Sequence, residues 1–394
     1  MFVDRGTLAG GFQAPIAIAG PLREYLQLSV AVSGTGTVYA VWHAFAGSGM
    51  VSAAPPGGPF SAPRELSPAG DELVAVVQSP GGPVAAVWAI PERSSRAPLL
   101  SYALMGADGS RGPAVKVGRV LVPPFGVHFA LNDRGELAVV GITNNGSPGH
   151  GPTSAVVVTC SSAARRCSRP HPIQVGAIGH TEEQVEDSLA LSEDGTLTVL
   201  AVADSEECRP KARPCGGLWA ITRRHNGGWL RARKLARKAE WGELDAVSDG
   251  QGDALALHRG ASESAQLWSG LEANGARITA PARPAQPAGY AQAGNPVTLA
   301  ANSQQSFLMT WCTYPPAEAE PPVVHPCNQV AAALGSDDHL ETAQPLLPAT
   351  NVDVGSPEGA LDGAGEAAVI WNYGLEETPG TFEARGVSID IHRP

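Results

Sequence analysis

A chain of 394 residues with 43% hydrophobic and 16% charged residues, 46 Gly and 34 Pro is globular and rich in turns. Disorder and a collagen-like fibre are therefore excluded. Its 38 acids outnumber its 27 bases, for a formal net charge of -11, which excludes general nucleic-acid binding because neutralising phosphates needs a dense basic surface. No apolar run reaches the ~18 residues of a membrane-spanning helix, and the opening MFVDRGTLAGG lacks the basic-then-apolar pattern of a secretion signal, so no membrane span and no signal peptide are expected in this chain.

In chain order, GGFQAPIAI (10 to 18) comes first and is followed by LSVAVSGTGTVYAVW (28 to 42). The second stretch has two alternating apolar runs about a Gly and Ser turn, the pattern of a β-hairpin. MVSAAPPGGPFSAPRELS (50 to 67) reads as a second strand pair. The hairpin line then recurs as QSPGGPVAAVW, ALNDRGELAVVG, ALSEDGTLTVLA, AVSDGQGDALALH, AANSQQSFLMTW and ALDGAGEAAVIW. Aligned on the turn, the copies place Gly36, Gly82, Gly135, Gly195, Gly252, Gln305 and Gly365 at one position, 46 to 60 residues apart. Between them the second unit returns in LLSYALMGADGSRGPAVKVG (99 to 118) and LWAITRRHNGGWLRARKL (218 to 235). Each period thus holds four antiparallel strands, A to D.

Four strands about every 50 residues without helices is the pattern of a β-propeller blade. The expectation is an all-β, seven-bladed β-propeller with four antiparallel strands per blade, in a single domain over 1–394. The chain ends with TFEARGVSIDIHRP, enough for strand C of the last blade, while GGFQAPIAI matches GPFSAPREL (58 to 66), a strand D segment. Residues 10–18 are therefore predicted to complete the C-terminal blade and close the ring, removing open sheet edges.

Three close cysteine pairs, Cys160 with Cys167, Cys208 with Cys215 and Cys312 with Cys327, lie in turn-rich segments. They read as three loop-stapling disulfides and an oxidising compartment. Zinc is the alternative, but C-x6-C is the wrong spacing for a zinc knuckle and no H-x3-5-H partner follows. Trp42, Trp88, Trp311 and Trp371 share one position on strand B, with His258, Gly141 and Ala201 in the other copies. They read as packing between blades, or as a stacking platform for sugars.

The apolar strand, DxxG turn, AVW strand and later GGxFxAP segment resemble the repeat propellers of secreted bacterial proteins of sialidase-like type. That resemblance implies the fold. The sialidase S-x-D-x-G-x-T-W turn has no full copy here; LSEDGTLT (191 to 198) comes nearest, lies between A and B, and lacks the Trp. No arginine cluster, nucleophilic Tyr or acid pair of that family falls on a matching motif, and no catalytic residue, metal ligand set or cofactor is assigned. A glycosidase needs only two facing carboxylates, so a glycoside hydrolase or lyase of sialidase-like propeller type stays as the alternative.

Two charge features remain. Acids gather at the start of strand A: Glu24, Asp71, Glu72, Glu186, Asp187, Glu243, Asp245 and Asp353. Strand A lines the channel of a propeller, so these acids are candidate ligand-binding groups for a cation or a basic ligand, or else they merely solvate loop ends. RRHNGGWLRARKLARK (223 to 238) holds seven of the 27 bases. It reads as rim strands C and D guarded by charge, as a site for an anionic polymer or glycan with Trp229 stacking, or as a short helix over RARKLARK. Together these features point to a monomeric, extracellular or cell-surface binding module for a glycan or a protein. Its ligand face is predicted on the B to C and D to A loops, where two cysteine pairs fall, because stapled loops lose less entropy on binding.

Overall fold

The computed structural model describes residues 2–7, 11–12, 16–17, 26–44, 49–67, 72–90, 99–119, 127–144, 153–173, 186–203, 217–225, 227–236, 244–250, 254–259, 266–271, 291–314, 329–335, 339–340, 344–345, 353–354, 358–362, 367–374 and 382–390. All the regular structure there is β.

The repeated turn explains the repeated line. Each A to B connection begins with a small polar residue: Ser33, Ser79, Asn132, Ser192, Ser248, Asn302 or Asp362, every one of them buried. Five of these turns share one hydrogen-bond scheme, in which the first residue's N–H reaches the carbonyl four residues on: Ser33 to Thr37 (2.9 Å), Ser79 to Pro83 (3.1 Å), Asn132 to Glu136 (3.1 Å), Ser192 to Thr196 (2.9 Å) and Asn302 to Ser306 (3.0 Å). Side chains add caps, as when Glu136 N–H donates to Asn132 Oδ1 at 2.9 Å and Ser306 N–H to Asn302 Oδ1 at 3.0 Å. In four of the five a left-handed residue stands near the end of the turn, namely Gly36, Gly135, Gly195 and Gln305, the last at φ 60°. In the fifth copy the left-handed glycine is Gly250, at φ 82°, two residues ahead of the expected Gly252.

The innermost strands touch in a closed cycle. Leu26–Val32 packs on Glu72–Gln78, which packs on Val127–Leu131; Glu186–Leu191, Asp245–Ser248, Ala291–Ala301 and Glu358–Leu361 follow, and the last returns to Leu26–Val32. The sheets radiate from this cycle, and apolar clusters fill the spaces between neighbouring sheets. One cluster joins Val77, Val87 and Tyr102 of one sheet to Leu131, Leu137 and Val158 of the next; another joins Val140 and Val157 to Leu189, Leu197 and Val199. Trp42, Trp88 and Trp311 are buried, and Trp311 packs with Leu299, Met309, Leu340 and Val247, which is the packing reading of the strand B aromatics. The side chains of Trp371 and His258 lie outside the described residues.

The architecture is an all-β propeller, but the expected seven four-stranded blades are overturned. Among the described residues five blades carry a four-strand run, an example being Glu186–Leu191, Leu197–Ala203, Gly217–Arg223 and Arg233–Ala236. The sheet of Asp245–Ser248, Ala254–Arg259 and Gln266–Leu271 has three strands, and the sheet joining the two chain ends is a composite of seven. A hairpin declares itself locally, whereas the fourth strand of a sheet is whatever segment reaches its free edge, which is a tertiary matter. For the same reason the N-terminal strand on the last sheet's edge is not the expected 10–18. Phe2–Thr7 pairs in parallel with Phe382–Asp390, from Phe2 opposite Arg385 to Thr7 opposite Asp390. The 10–18 segment folds back outside it, with Gly11–Phe12 and Ile16–Ala17 pairing antiparallel to Phe2–Thr7. Arg233–Ala236 is a strand and not the start of a helix.

Candidate functional site

The cycle of inner strands encloses a channel with a cavity of about 370 Å³, and every inner strand contributes to its wall. The described A to B turns gather at one end. The turn at Ser79–Pro83 leans over the axis: Gly81 N–H donates to Asp133 Oδ1 at 2.9 Å and Pro80 O accepts from Ser303 N–H at 3.1 Å. The sheet of Pro80 and the sheet of Ser303 are not neighbours in the cycle, so this bond crosses the channel. Gly81 is required there, because a Cβ would stand 2.5 Å from Ser303 Oγ and 3.0 Å from Asp133 Oδ2. Asp133 N–H in turn donates to Glu193 Oε1 at 2.5 Å, and Glu193 N–H donates to Gly250 O at 2.7 Å, which links the described turns to one another. Burial of Glu193, together with the neighbouring Asp133, raises its pKa to about 7.

Three titratable side chains line the channel wall: His128, Asp245 and Glu358. Burial holds His128 neutral, with its pKa lowered to about 4. Asp245 bridges three sheets: Oδ2 accepts the Leu299 N–H at 3.1 Å, and Oδ1 accepts its own strand's Ala246 N–H at 2.8 Å and the Ser188 hydroxyl at 3.5 Å. Burial raises its pKa to about 6, opposed by those hydrogen bonds. Glu358 accepts from the Ser29 hydroxyl and the Val30 N–H of the adjacent sheet, and burial raises its pKa to about 7. Gln78 makes the same kind of link, with Oε1 accepting the Val32 N–H at 2.9 Å and Nε2 donating to Leu361 O. These polar side chains satisfy the inner strands' outward backbone groups, which would be costly if left buried and unpaired.

Of the predicted ligand-binding acids, Asp245 is on the channel wall and hydrogen-bonded. Glu72, Glu186 and Asp187 occupy the first positions of inner strands, at the end away from the A to B turns, and Asp353 opens a strand opposite Gly374. The side chains of these four, and all of Glu24, Asp71 and Glu243, lie outside the described residues. Sequence reasoning missed Glu358 and His128. Glu358 starts an inner strand as the other acids do, but Asp353 had been given that position; a single His in VHFAL has no local signal.

Cys160 and Cys167 form a disulfide across an antiparallel pair. Cys208, Cys215 and Cys327, and the side chain of Cys312, lie outside the described residues. Beside that disulfide is a second cavity, of about 600 Å³, between the sheet of Glu136–Asn144 and Thr153–Ser161 and the sheet of Leu197–Ala203 and Gly217–Arg223. It opens on the face of the A to B turns, since Gly195 and His225 line it.

No protein family matches the chain, and no curated protein matches it in sequence. Solved structures do match in shape. A lectin from Burkholderia pseudomallei is similar at 13% identity, over 86% of this chain and 90% of that one, with a TM-score of 0.54. Hydrazine synthase from Kuenenia stuttgartiensis is similar at 10% identity, over 91% and 95%, with a TM-score of 0.50. The lectin of Aleuria aurantia, in complex with a fucosyl-GlcNAc disaccharide, is similar at 11% identity, over 84% and 99%, with a TM-score of 0.48. With the first two of these what is shared is the fold, and together with the closed cycle of sheets it makes this chain a β-propeller. Among its described residues no helix is long and apolar enough to cross a membrane.

Proposed function

We propose that this protein is a binding module working outside the cell or at its surface, taking a glycan or a protein at the channel mouth opposite the A to B turns. The observation that carries this reading is the Ser79–Pro83 turn, hydrogen-bonded across the axis at one end, which makes the strand-start side the freer approach to the channel. Asp71, Glu72, Glu186, Asp187, Glu243, Asp245 and Asp353 belong to that side by sequence position, and their charge would draw a cation or a basic ligand, while carboxylates also accept hydrogen bonds from hydroxyls. The fold is shared with a protein named as a lectin, which makes glycans the first ligands to test. The Cys160–Cys167 disulfide fits an oxidising compartment.

One observation favours a second reading, a glycoside hydrolase: Glu358 and Asp245 share one cavity, with pKa values raised to about 7 and about 6. A proton-holding carboxyl and a second carboxyl facing one cavity are the groups such chemistry uses. Against it, both carboxyls already accept backbone N–H groups of adjacent sheets, the work of a structural link. A glycan array followed by incubation of each hit separates the readings, since retention without cleavage supports binding and released product supports hydrolysis. Replacing Asp71, Glu186, Asp187 and Glu243 together by Lys is expected to abolish binding of the array hit and leave the melting temperature nearly unchanged. Undiminished binding would remove the channel mouth as the site.

A further inference from the structure

We propose that the cavity between the Thr153–Ser161 and Gly217–Arg223 strands is a second ligand site, on the opposite face from the channel mouth, for the carboxylate or sulfate group of an acidic saccharide. Its wall is cationic in an acidic protein. Arg166 and Arg223 line it, with His225 at one side and Glu136 as the lining carboxylate. Glu136 is already engaged, since its Oε2 accepts from Arg134 Nη2 at 2.7 Å and from Asn132 Nδ2 at 2.8 Å. Excess positive charge is left facing the cavity.

Arg223 is the centre of the argument. It is half-buried at the end of its strand, and its Nε is buried with no hydrogen-bond partner among the described residues. Its Nη1 reaches only Thr159 Oγ1, at 3.5 Å. A buried guanidinium N–H without an acceptor is costly, and an anion with two neighbouring oxygens, a carboxylate or a sulfate, can take two parallel guanidinium N–H bonds at once.

The polar lining suits a sugar as the carrier of that anion, since Thr159, Ser161 and Ser168 line the cavity. Arg223 is also positioned by an aromatic neighbour outside the cavity, standing 6.0 Å from the ring centroid of Trp229, which is stacked with His171 at 5.5 Å and 7°. The site is also held open in advance. The Cys160–Cys167 disulfide borders it, and its floor is Gly195, at φ 85°, where a Cβ would meet Arg134 Nη2 at 3.0 Å and His225 Nδ1 at 3.1 Å. A volume of about 600 Å³ lies within the range of small-ligand sites, roughly 300 to 1,000 Å³.

The test is calorimetric titration of the full chain with a sulfated heparin tetrasaccharide, a tetragalacturonate and neutral maltotetraose. The two acidic probes are expected to bind, more weakly as NaCl rises, and the neutral one is not. Arg223→Met keeps the apolar stem, and the exposed Arg166→Gln leaves the packing alone; each is expected to weaken acidic binding at least tenfold. The fourfold Lys variant of the channel mouth should leave it intact, which keeps this site separable from the first. The proposal is overturned if maltotetraose binds as well as the acidic probes, if inorganic sulfate binds as tightly as the tetrasaccharides, or if Arg166→Gln keeps parental affinity. Should Arg223→Met fail to fold, Arg166→Gln alone decides.

Discussion

Glu358 shows what a channel wall does to a side chain. Its folded pKa of about 7 stands above the ~4.3 of an unfolded chain, so the folded state binds more protons between those values. By linkage its favourable contribution is complete below the unfolded pKa and is lost as pH rises through about 7. Asp245 acts in the same direction up to about 6. His128 acts oppositely: with its folded pKa lowered to about 4, stability grows as pH rises from there to its unfolded value near 6.5. Among the described residues, between pH ~6.5 and ~7.5 Glu358 and Glu193, with pKa values of about 7, slope downward and outweigh the fading opposite slope of His128. The melting temperature is therefore expected to fall across that window, and Glu358→Gln should flatten the fall, leaving the part that belongs to Glu193. Parallel melting curves for parent and variant from pH 5 to 8 would show that the carboxyl is not enclosed as described.

The hairpin is the element that this chain repeats, and its turn chemistry is what makes it repeat. A buried Ser, Asn or Asp begins each A to B turn because its side chain and N–H satisfy groups that neither the sheet nor water reaches. Asn132 shows the added tertiary use, since its Nδ2 also donates to Ser192 O of the next turn at 3.3 Å. On the outer side of one sheet the equivalent fastening is covalent, with Cys160 directly opposite Cys167 and Ser161 opposite Arg166. We extend that pattern to Cys208 with Cys215 and Cys312 with Cys327. Closing loops of this length stabilises by about 2 to 3 kcal/mol each on the chain-entropy account. Non-reducing peptide mapping should return all three pairs from protein made in an oxidising compartment; free thiols at the latter four positions would refute the extension and weaken the extracellular assignment.

At the scale of the molecule, the two chain ends decide whether the ring holds. Phe2–Thr7 covers the edge of Phe382–Asp390, and the parallel register puts six residue pairs across that junction. Removing residues 1–17 strips this strand and its two short partners and exposes the sheet edge. The truncated chain is expected to melt at a markedly lower temperature and to aggregate more readily; an unchanged transition would mean that the closure carries no stability.

What was legible in the sequence is what neighbours along the chain decide. SGTGT, NDRGE, SEDGT and NSQQS specify turns, the alternating runs beside them specify strand pairs, and their repetition specifies a propeller of hairpins. Cys160 and Cys167 could be paired because a short turn brings them opposite each other. The blade make-up, the parallel strand at Phe2–Thr7 and the channel wall were not legible, because a strand's outer edge accepts any segment with free N–H and C=O groups and local pattern does not say which will arrive. The same reason hid Glu358, His128 and the Arg223 cavity. Their character comes from burial and from partners some 60 or more residues away, such as Thr159 for Arg223, and only the packing of one sheet against the next brings those groups together.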